Sequence, residues 1–323
     1  MQGSRRLGWA CGLMVAFASS ASADEVVVYH SWSKPSEIAA LTVLREAWAK
    51  DGHQWKDLAI AHDSGANVSL MNMITGGNPP AIFMDSEPGL YRDLKKQGLG
   101  FPLTKLFDEI GATKAFPPAV LRNITVDGEI VKAPATVHID GMVYYNKHVA
   151  DAVGIDPKSW KSLDDLFAVF DRVKAAGYIP IAQGGDKFQV AYLLQAIIAS
   201  EAGRDVYDKF YGEKPDRAAI DSAAMRQALK RFRQIEEHTD AGSPNRQWND
   251  TTNLVITGKA LLQIHGDWMK GEFRGQATAR QGFRMHEHSR HQSGGGDGGR
   301  LGLPQHRQSA NHAGAGRLRQ ARR

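Results

Sequence analysis

Residues 129–149 read EIVKAPATVHIDGMVYYNKHV, and their pattern decides the fold. Val131, Ala133, Ala135 and Val137 alternate with other residues, Pro134 interrupts the ladder, and a second extended run, Gly141 to Tyr145, ends in the turn-forming Asn146-Lys147-His148. A proline removes one ladder donor, so such a strand suits the middle of a sheet poorly and suits a crossing between two lobes. The pattern predicts a crossing segment at 131–146, one α/β lobe before it (24–130) and a second after it (131–273). A chain of 323 residues is long enough for two cores.

In the first lobe, the β-branched run Glu25-Val26-Val27-Val28-Tyr29-His30 empties into Ser31-Trp32-Ser33-Lys34-Pro35 before a helix predicted from Ser36 to Lys50. A parallel strand followed by a loop and a helix puts that loop at the carboxyl end of the strand, where open α/β sheets bind ligands. Trp32 and Glu37 are therefore the first site candidates, with packing over the sheet edge as the alternative for Trp32. A strand is expected over Trp55–Ala61, a short helix ending near Thr75, and a further strand over Pro79–Asp85. Asp85 sits at that strand's end, where an acid either accepts hydrogen bonds from ligand hydroxyls or caps a helix.

In the crossing segment His138, Asp140 and Tyr144 follow a near two-residue spacing that can bring them to one strand face, although a surface edge strand carries the same pattern. Beyond it, helices are predicted over 147–153, 163–176, 190–200 and 221–238, with a strand at Tyr178–Ala182. Ser162, with Asp165 three residues on, reads as a capping box. Gln183-Gly184-Gly185-Asp186 forms a loop that lacks the Lys-Ser/Thr of a phosphate-binding loop and the full dinucleotide fingerprint. The last regular element is a helix from Trp248, a Gly258-Lys259-Ala260 turn, and a strand running into Gly266-Asp267-Trp268.

These stretches together resemble the extracellular solute-binding proteins of sugar ABC transporters, in particular a glucose/mannose-binding type that is similar in turn to maltose-binding proteins. The likeness is carried by PATVH and YYNK in the crossing segment, IDPKSW after it, NPPAIF before Asp85, and the GKA turn with its terminal Gly-Asp-Trp. It implies a two-lobed α/β periplasmic-binding-protein fold, type II and maltose-binding-like, with its C-terminal part missing. It also implies capture of a mono- or short oligosaccharide in the periplasm and delivery to the membrane permease subunits of an ABC importer. Trp32, Trp248 and Trp268 would offer aromatic faces to a pyranose. Glu37, Asp85, His138, Asp140, Gln183, Gln189 and Asp267 would pair with its hydroxyls, and Phe188 would stand at the lip of the cleft. The family carries two aromatics in the loop after the first strand, whereas this chain has Ser31 in place of one. A monomer is expected, with no cofactor, metal, catalysis or nucleic-acid partner.

The first 23 residues read as an export signal: Arg5 and Arg6, an apolar run from Leu7 to Ala18, and small residues at Ala21-Ser22-Ala23. That run is shorter than the roughly 20 residues a membrane span needs. The single cysteine, Cys11, lies within it, so a mature chain beginning at Asp24 is expected to hold no disulfide. The net charge of +5 divides unevenly, because residues 275–323 hold nine Arg, no Lys and two acids, +7, which leaves −2 for residues 1–274. The basic balance thus belongs to the tail and is no footprint for nucleic acid on the folded part. The same 49 residues contain ten Gly and no Val, Ile, Tyr or Trp, too little apolar surface to offset ordering. Residues 274–323 are accordingly expected to be a disordered or frame-shifted tail; the spacing of His286, His288 and His291 suits a metal-binding tail only without the partners that would close a site.

Two other readings compete. A secreted carbohydrate-active hydrolase would use paired carboxylates such as Glu37 and Asp267, although neither lies in a catalytic motif. A truncated binding protein without function is the other.

Overall fold

The computed structural model describes residues 25–61, 66–85, 88–212, 214–277 and 283–286; the expected signal segment and the residues after 286 lie outside them. The chain separates into two compact units, residues up to 86 and residues from 87 on.

In the first unit, β1 (Glu25–His30) lies between β2 (Gln54–Ala59) and β3 (Ile82–Phe83), all parallel, in the order β2-β1-β3. Val28, Tyr29 and His30 are buried, as a central parallel strand requires. The helix α1 (Pro35–Lys50) returns the chain between β1 and β2, and α2 (Ala66–Thr75) returns it between β2 and β3. His30 Nε2, Arg45 and the Trp55 indole N–H all converge on the Asp57 carboxylate, at 3.1, 2.7 and 2.7 Å. Partial burial raises the Asp57 pKa, but these hydrogen bonds outweigh it and hold the carboxyl below its usual range.

The second unit begins with the helices α3 (Pro88–Lys96), α4 (Thr104–Glu109), α5 (Ala112–Ala115) and α6 (Pro118–Ile124). A hairpin follows, β4 (Thr125–Val126) and β5 (Glu129–Ile130), turning on Asp127 and Gly128, both at positive φ as a two-residue I′ turn demands. Phe107, Ile124 and Ile130 make a small core under these helices. Segment 88–130, which the sequence pattern joins to the first lobe, thus groups by packing with the residues that follow it.

From 131 to 141 the chain joins no strand ladder, which corrects the expected strand over 131–137. Its alternation has no face to bury, since Ala133, Ala135 and Val137 are not buried. The sheet itself begins at β6 (Met142–Asn146). It continues through α7 (Lys147–Ala152), α8 (Leu163–Phe167), α9 (Phe170–Ala175), β7 (Ile179–Ile181), α10 (Lys187–Glu201), α11 (Gly203–Phe210), α12 (Arg217–Ile220) and α13 (Ala223–Glu236). The rest comprises α14 (Trp248–Ile256), β8 (Ala260–His265), α15 (Met269–Ala277) and β9 (Phe283–His286). The strand order is β7-β8-β6-β9, with β7 parallel to β8 and β6 antiparallel to both β8 and β9.

One face of this sheet, with Tyr145, Leu262 and Ile264, packs on Val149, Phe170, Val173, Leu193, Ile197 and Ile235. The other, with Met142 and Tyr144, packs on Trp248, Met269 and Phe273. The single helix expected over 163–176 is two, but Ala168 and Val169 between them keep right-handed helical angles, so direction is preserved. Ser162 caps α8 through the Asp165 N–H, and Asp165 accepts in return from the Ser162 N–H at 3.1 Å. Regular structure also passes Phe273, where the sequence places its end: α15 runs to Ala277 and β9 pairs with the otherwise open edge of β6.

Candidate functional site

Strand direction brings three connections of the second unit to one end of its sheet. The loop after β7 (Gln183 to Asp186) and the loop after β8 (Gly266 to Trp268) leave the carboxyl ends of parallel strands, and the segment entering antiparallel β6 (His138 to Gly141) arrives there. The Asp267 N–H donates to the Ile139 carbonyl at 3.0 Å, which joins two of these connections directly.

His138 Nδ1 meets the Asp267 carboxylate at 2.8 Å, and its Nε2 meets the Thr136 hydroxyl at 2.9 Å. The Trp268 indole stands edge-on to two imidazoles, His138 at 5.2 Å and 86° and His265 at 4.9 Å and 78°, with Tyr192 of α10 at 5.3 Å. The ring lies in the space where a side chain at residue 266 would stand: a Cβ there would be 1.9 Å from it. Gly266 is therefore required by packing, not by turn geometry.

Solvent reaches Asp140, yet enough protein surrounds it to push its pKa up to about 6; the burial is opposed by His138 and reinforced by the Asp267 carboxylate. His265, 2% exposed, lies within 6.5 Å of the rings of Phe188, Tyr192, Trp248 and Trp268. Burial pulls its pKa down to about 3, so it stays a neutral imidazole at physiological pH. Its Nε2 finds no hydrogen-bond partner among the described residues, nor does the Oε1 of Gln189 or of Gln263.

The loop after β7 is held by packing. A Cβ on Gly184 would lie 2.3 Å from the Gln189 side-chain amide, and one on Gly185 would lie 2.2 Å from the Pro244 carbonyl oxygen. Gln189 donates to Asp186 at 3.0 Å and to the Arg246 carbonyl at 3.1 Å. The Arg246 guanidinium forks onto Asp240 and holds that carboxyl below its usual range.

Of the residues expected from sequence, the structure brings together His138, Asp140, Asp267 and Trp268, with Gln183 on the neighbouring loop and Gln189 in the first turn of α10 that follows it. Trp248 is 5% exposed and packs with Met142, Tyr144, Met269 and Phe273 as core. Trp32, Glu37 and Asp85 belong to the first unit. There, Trp32 and Asp85 follow β1 and β3 at the carboxyl end of that sheet. Glu37 spans the start of α1, its carboxylate accepting from the Ser33 and Lys34 N–H groups at 2.7 and 2.8 Å. Sequence reasoning missed His265 and Tyr192. Sequence position gives only part of the signal: His265 closes the strand that delivers Gly-Asp-Trp, and Tyr192 stands one helical turn beyond Phe188. Among the described residues no group of three His, Cys, Asp or Glu is placed to hold a metal ion, and no helix is long and apolar enough to cross a membrane.

An α/β sheet with ligand-facing loops at one end is the arrangement of type II periplasmic-binding proteins, and solved structures agree. A chitin oligosaccharide binding protein superposes with a TM-score of 0.64 over 76% of this chain and 63% of its own, at 22% identity. Residues 15–282 match the family described as bacterial extracellular solute-binding protein, and the chain belongs to that family. A "Probable sugar-binding periplasmic protein" of Mesorhizobium japonicum is 35% identical over 276 residues, 83% of this chain and 65% of the relative. One of the same name from Brucella suis is 34% identical over 270 residues, 82% of this chain and 63% of the relative. The chain thus spans just under two thirds of the length of these relatives.

Proposed function

We propose that this chain is the periplasmic sugar-binding component of an ABC importer, taking a mono- or short oligosaccharide of glucose or mannose type to membrane permease subunits. The observation that carries the reading is the convergence of Trp268, Asp267, His138 and Asp140 at one end of the second unit's sheet. A pyranose presents an apolar C–H face and a rim of hydroxyls. An indole face beside carboxylate acceptors suits both, because aromatic surface covers the C–H groups and charged acceptors bind hydroxyls about twice as strongly as neutral ones. Binding is stoichiometric and without turnover, in keeping with relatives named as binding proteins.

Calorimetric titration of the chain with glucose, mannose, galactose, xylose and maltose tests this. Saturable one-to-one binding of at least one sugar, without release of reducing ends from maltose, is expected. Absence of binding across the panel would reject it, and hydrolysis of maltose would favour the carbohydrate-active enzyme instead.

A further inference from the structure

We propose that Thr136, His138 and Asp267 form a hydrogen-bonded relay that positions the acceptor and the aromatic platform of the site, and that His138 acts through these two groups instead of touching the sugar. This rests on the sugar-binding reading above.

The argument starts from the ring nitrogens. An ionised carboxylate only accepts, so His138 Nδ1 carries the hydrogen in its 2.8 Å contact with Asp267 Oδ1. In the neutral ring Nε2 is then an acceptor and takes the Thr136 hydroxyl hydrogen at 2.9 Å. Protonation would reverse the second bond without breaking it, since Nε2–H would donate to the hydroxyl oxygen. Both nitrogens are used within the protein in either state, which leaves none for a ligand.

Asp267 is fixed from two sides. Its N–H is bound to the Ile139 carbonyl and its Oδ1 to His138, so the second carboxylate oxygen is the one available to a sugar hydroxyl. The same imidazole stands edge-on to Trp268, as His265 does, while Gly266 leaves the space that the indole fills. One residue from the segment before β6 thereby sets the acceptor and the platform that the loop after β8 supplies. A site whose groups are already placed loses less ordering entropy on binding.

A double-mutant cycle separates positioning from contact, measured by calorimetry with whichever sugar of the five-member panel binds the wild type most tightly. His138→Leu should weaken binding by about tenfold, a 1.4 kcal/mol change. His138→Asn, whose amide N–H can replace Nδ1–H, should stay within about threefold, and Thr136→Val should fall between them while Thr136→Ser restores affinity. In an Asp267→Ala background, His138→Leu should add less than about twofold, because the group it acts through is gone. An equal loss from His138→Leu in both backgrounds would overturn the relay, as direct contact gives additivity. Without sugar, His138→Ala should raise acrylamide quenching of the Trp268 emission, isolated by difference from Trp268→Phe; unchanged quenching would overturn the clamp. A wild type that binds no panel sugar overturns the sugar reading, and the quenching arm still decides the geometry.

Discussion

The Asn146 side chain bridges two elements: its Nδ2 donates to the Val255 carbonyl of α14 at 2.7 Å, while its Oδ1 accepts from the Val149 N–H at 3.1 Å and caps α7. The residue is 4% exposed, so water cannot replace either bond. Asn146→Ala should lower stability by about 2 kcal/mol, combining about 1 for the lost cap with about 1 for the lost bond to the Val255 carbonyl, which still accepts from the Gly258 N–H at 3.2 Å. Asn146→Asp keeps the cap acceptor but faces the Val255 oxygen with a second acceptor, so it should do no better than Ala. Urea denaturation with an unchanged m-value measures both, and an Asp variant as stable as wild type would show that the Val255 bond contributes nothing.

The three candidate tryptophans should separate by assay. Trp248, packed among Met142, Tyr144, Met269 and Phe273, should cost about 3–5 kcal/mol of stability when replaced by Ala. Trp268→Ala should leave far-UV circular dichroism unchanged and weaken sugar binding at least tenfold, about 1.4 kcal/mol. Trp32→Ala, at the carboxyl end of β1, should likewise reduce affinity with the fold intact. Equal loss of stability in all three would place every one of them in the core.

Two glycines make a contrasting pair. A Cβ at Gly185 would meet three backbone atoms of Pro244 at 2.2–2.7 Å, and backbone cannot swing aside as a flexible side chain can. Gly185→Ala should therefore destabilise by about 1–3 kcal/mol and shift the loop that carries Gln183. A Cβ at Gly89, inside α3, would meet nothing within 4 Å, and its φ is an ordinary one. Gly89→Ala should stabilise by about 0.5–1 kcal/mol through helix propensity. Thermal melts of the two variants give the comparison, and a neutral Gly185→Ala would mean that the 243–245 segment yields freely.

The elements legible in the sequence were those whose signal is local. Glu25–His30 announces itself by β-branched residues, Ser162 by its partner Asp165, and β8 by the Gly258-Lys259-Ala260 turn ahead of the apolar Leu261-Leu262. The alternating run at 131–137 misled because alternation reports a periodicity and not a pairing partner: among the described residues no strand ladder includes it. His265 stayed hidden for a related reason. Its neighbours Phe188, Tyr192, Trp248 and Trp268 come from three other segments, and only folding assembles them around one imidazole. Trp248, expected from the resemblance to face the sugar, is core instead, because the choice depends on which face of α14 meets the sheet and that is not written in the local sequence.

Stability should depend on pH through two groups that pull in opposite directions. The His265 imidazole has its folded pKa lowered to about 3 from 6.5, so below pH 6.5 the unfolded chain binds a proton that the folded chain refuses. Its contribution is present above the unfolded pKa and is lost as pH falls from about 6.5 toward 3. Asp140 has its folded pKa raised to about 6 from 3.8, so between these values the folded chain holds the extra proton. Its contribution is therefore present at low pH and is lost as pH rises from about 4 through 6. Besides burial, the charged groups bearing on Asp140 are His138, which lowers its pKa, and Asp267, which raises it, so the carboxylate is held charged only against burial and a like charge. In the wild type the two trends partly cancel between pH 4 and 6. Asp140→Asn should remove the compensation, giving a steeper loss of stability on acidification and a gain at pH 7. His265→Gln should flatten the acid limb or reverse it. Urea unfolding at intervals from pH 4 to 8 reads both slopes, and an Asp140→Asn profile parallel to that of the wild type would show that Asp140 titrates at its ordinary value.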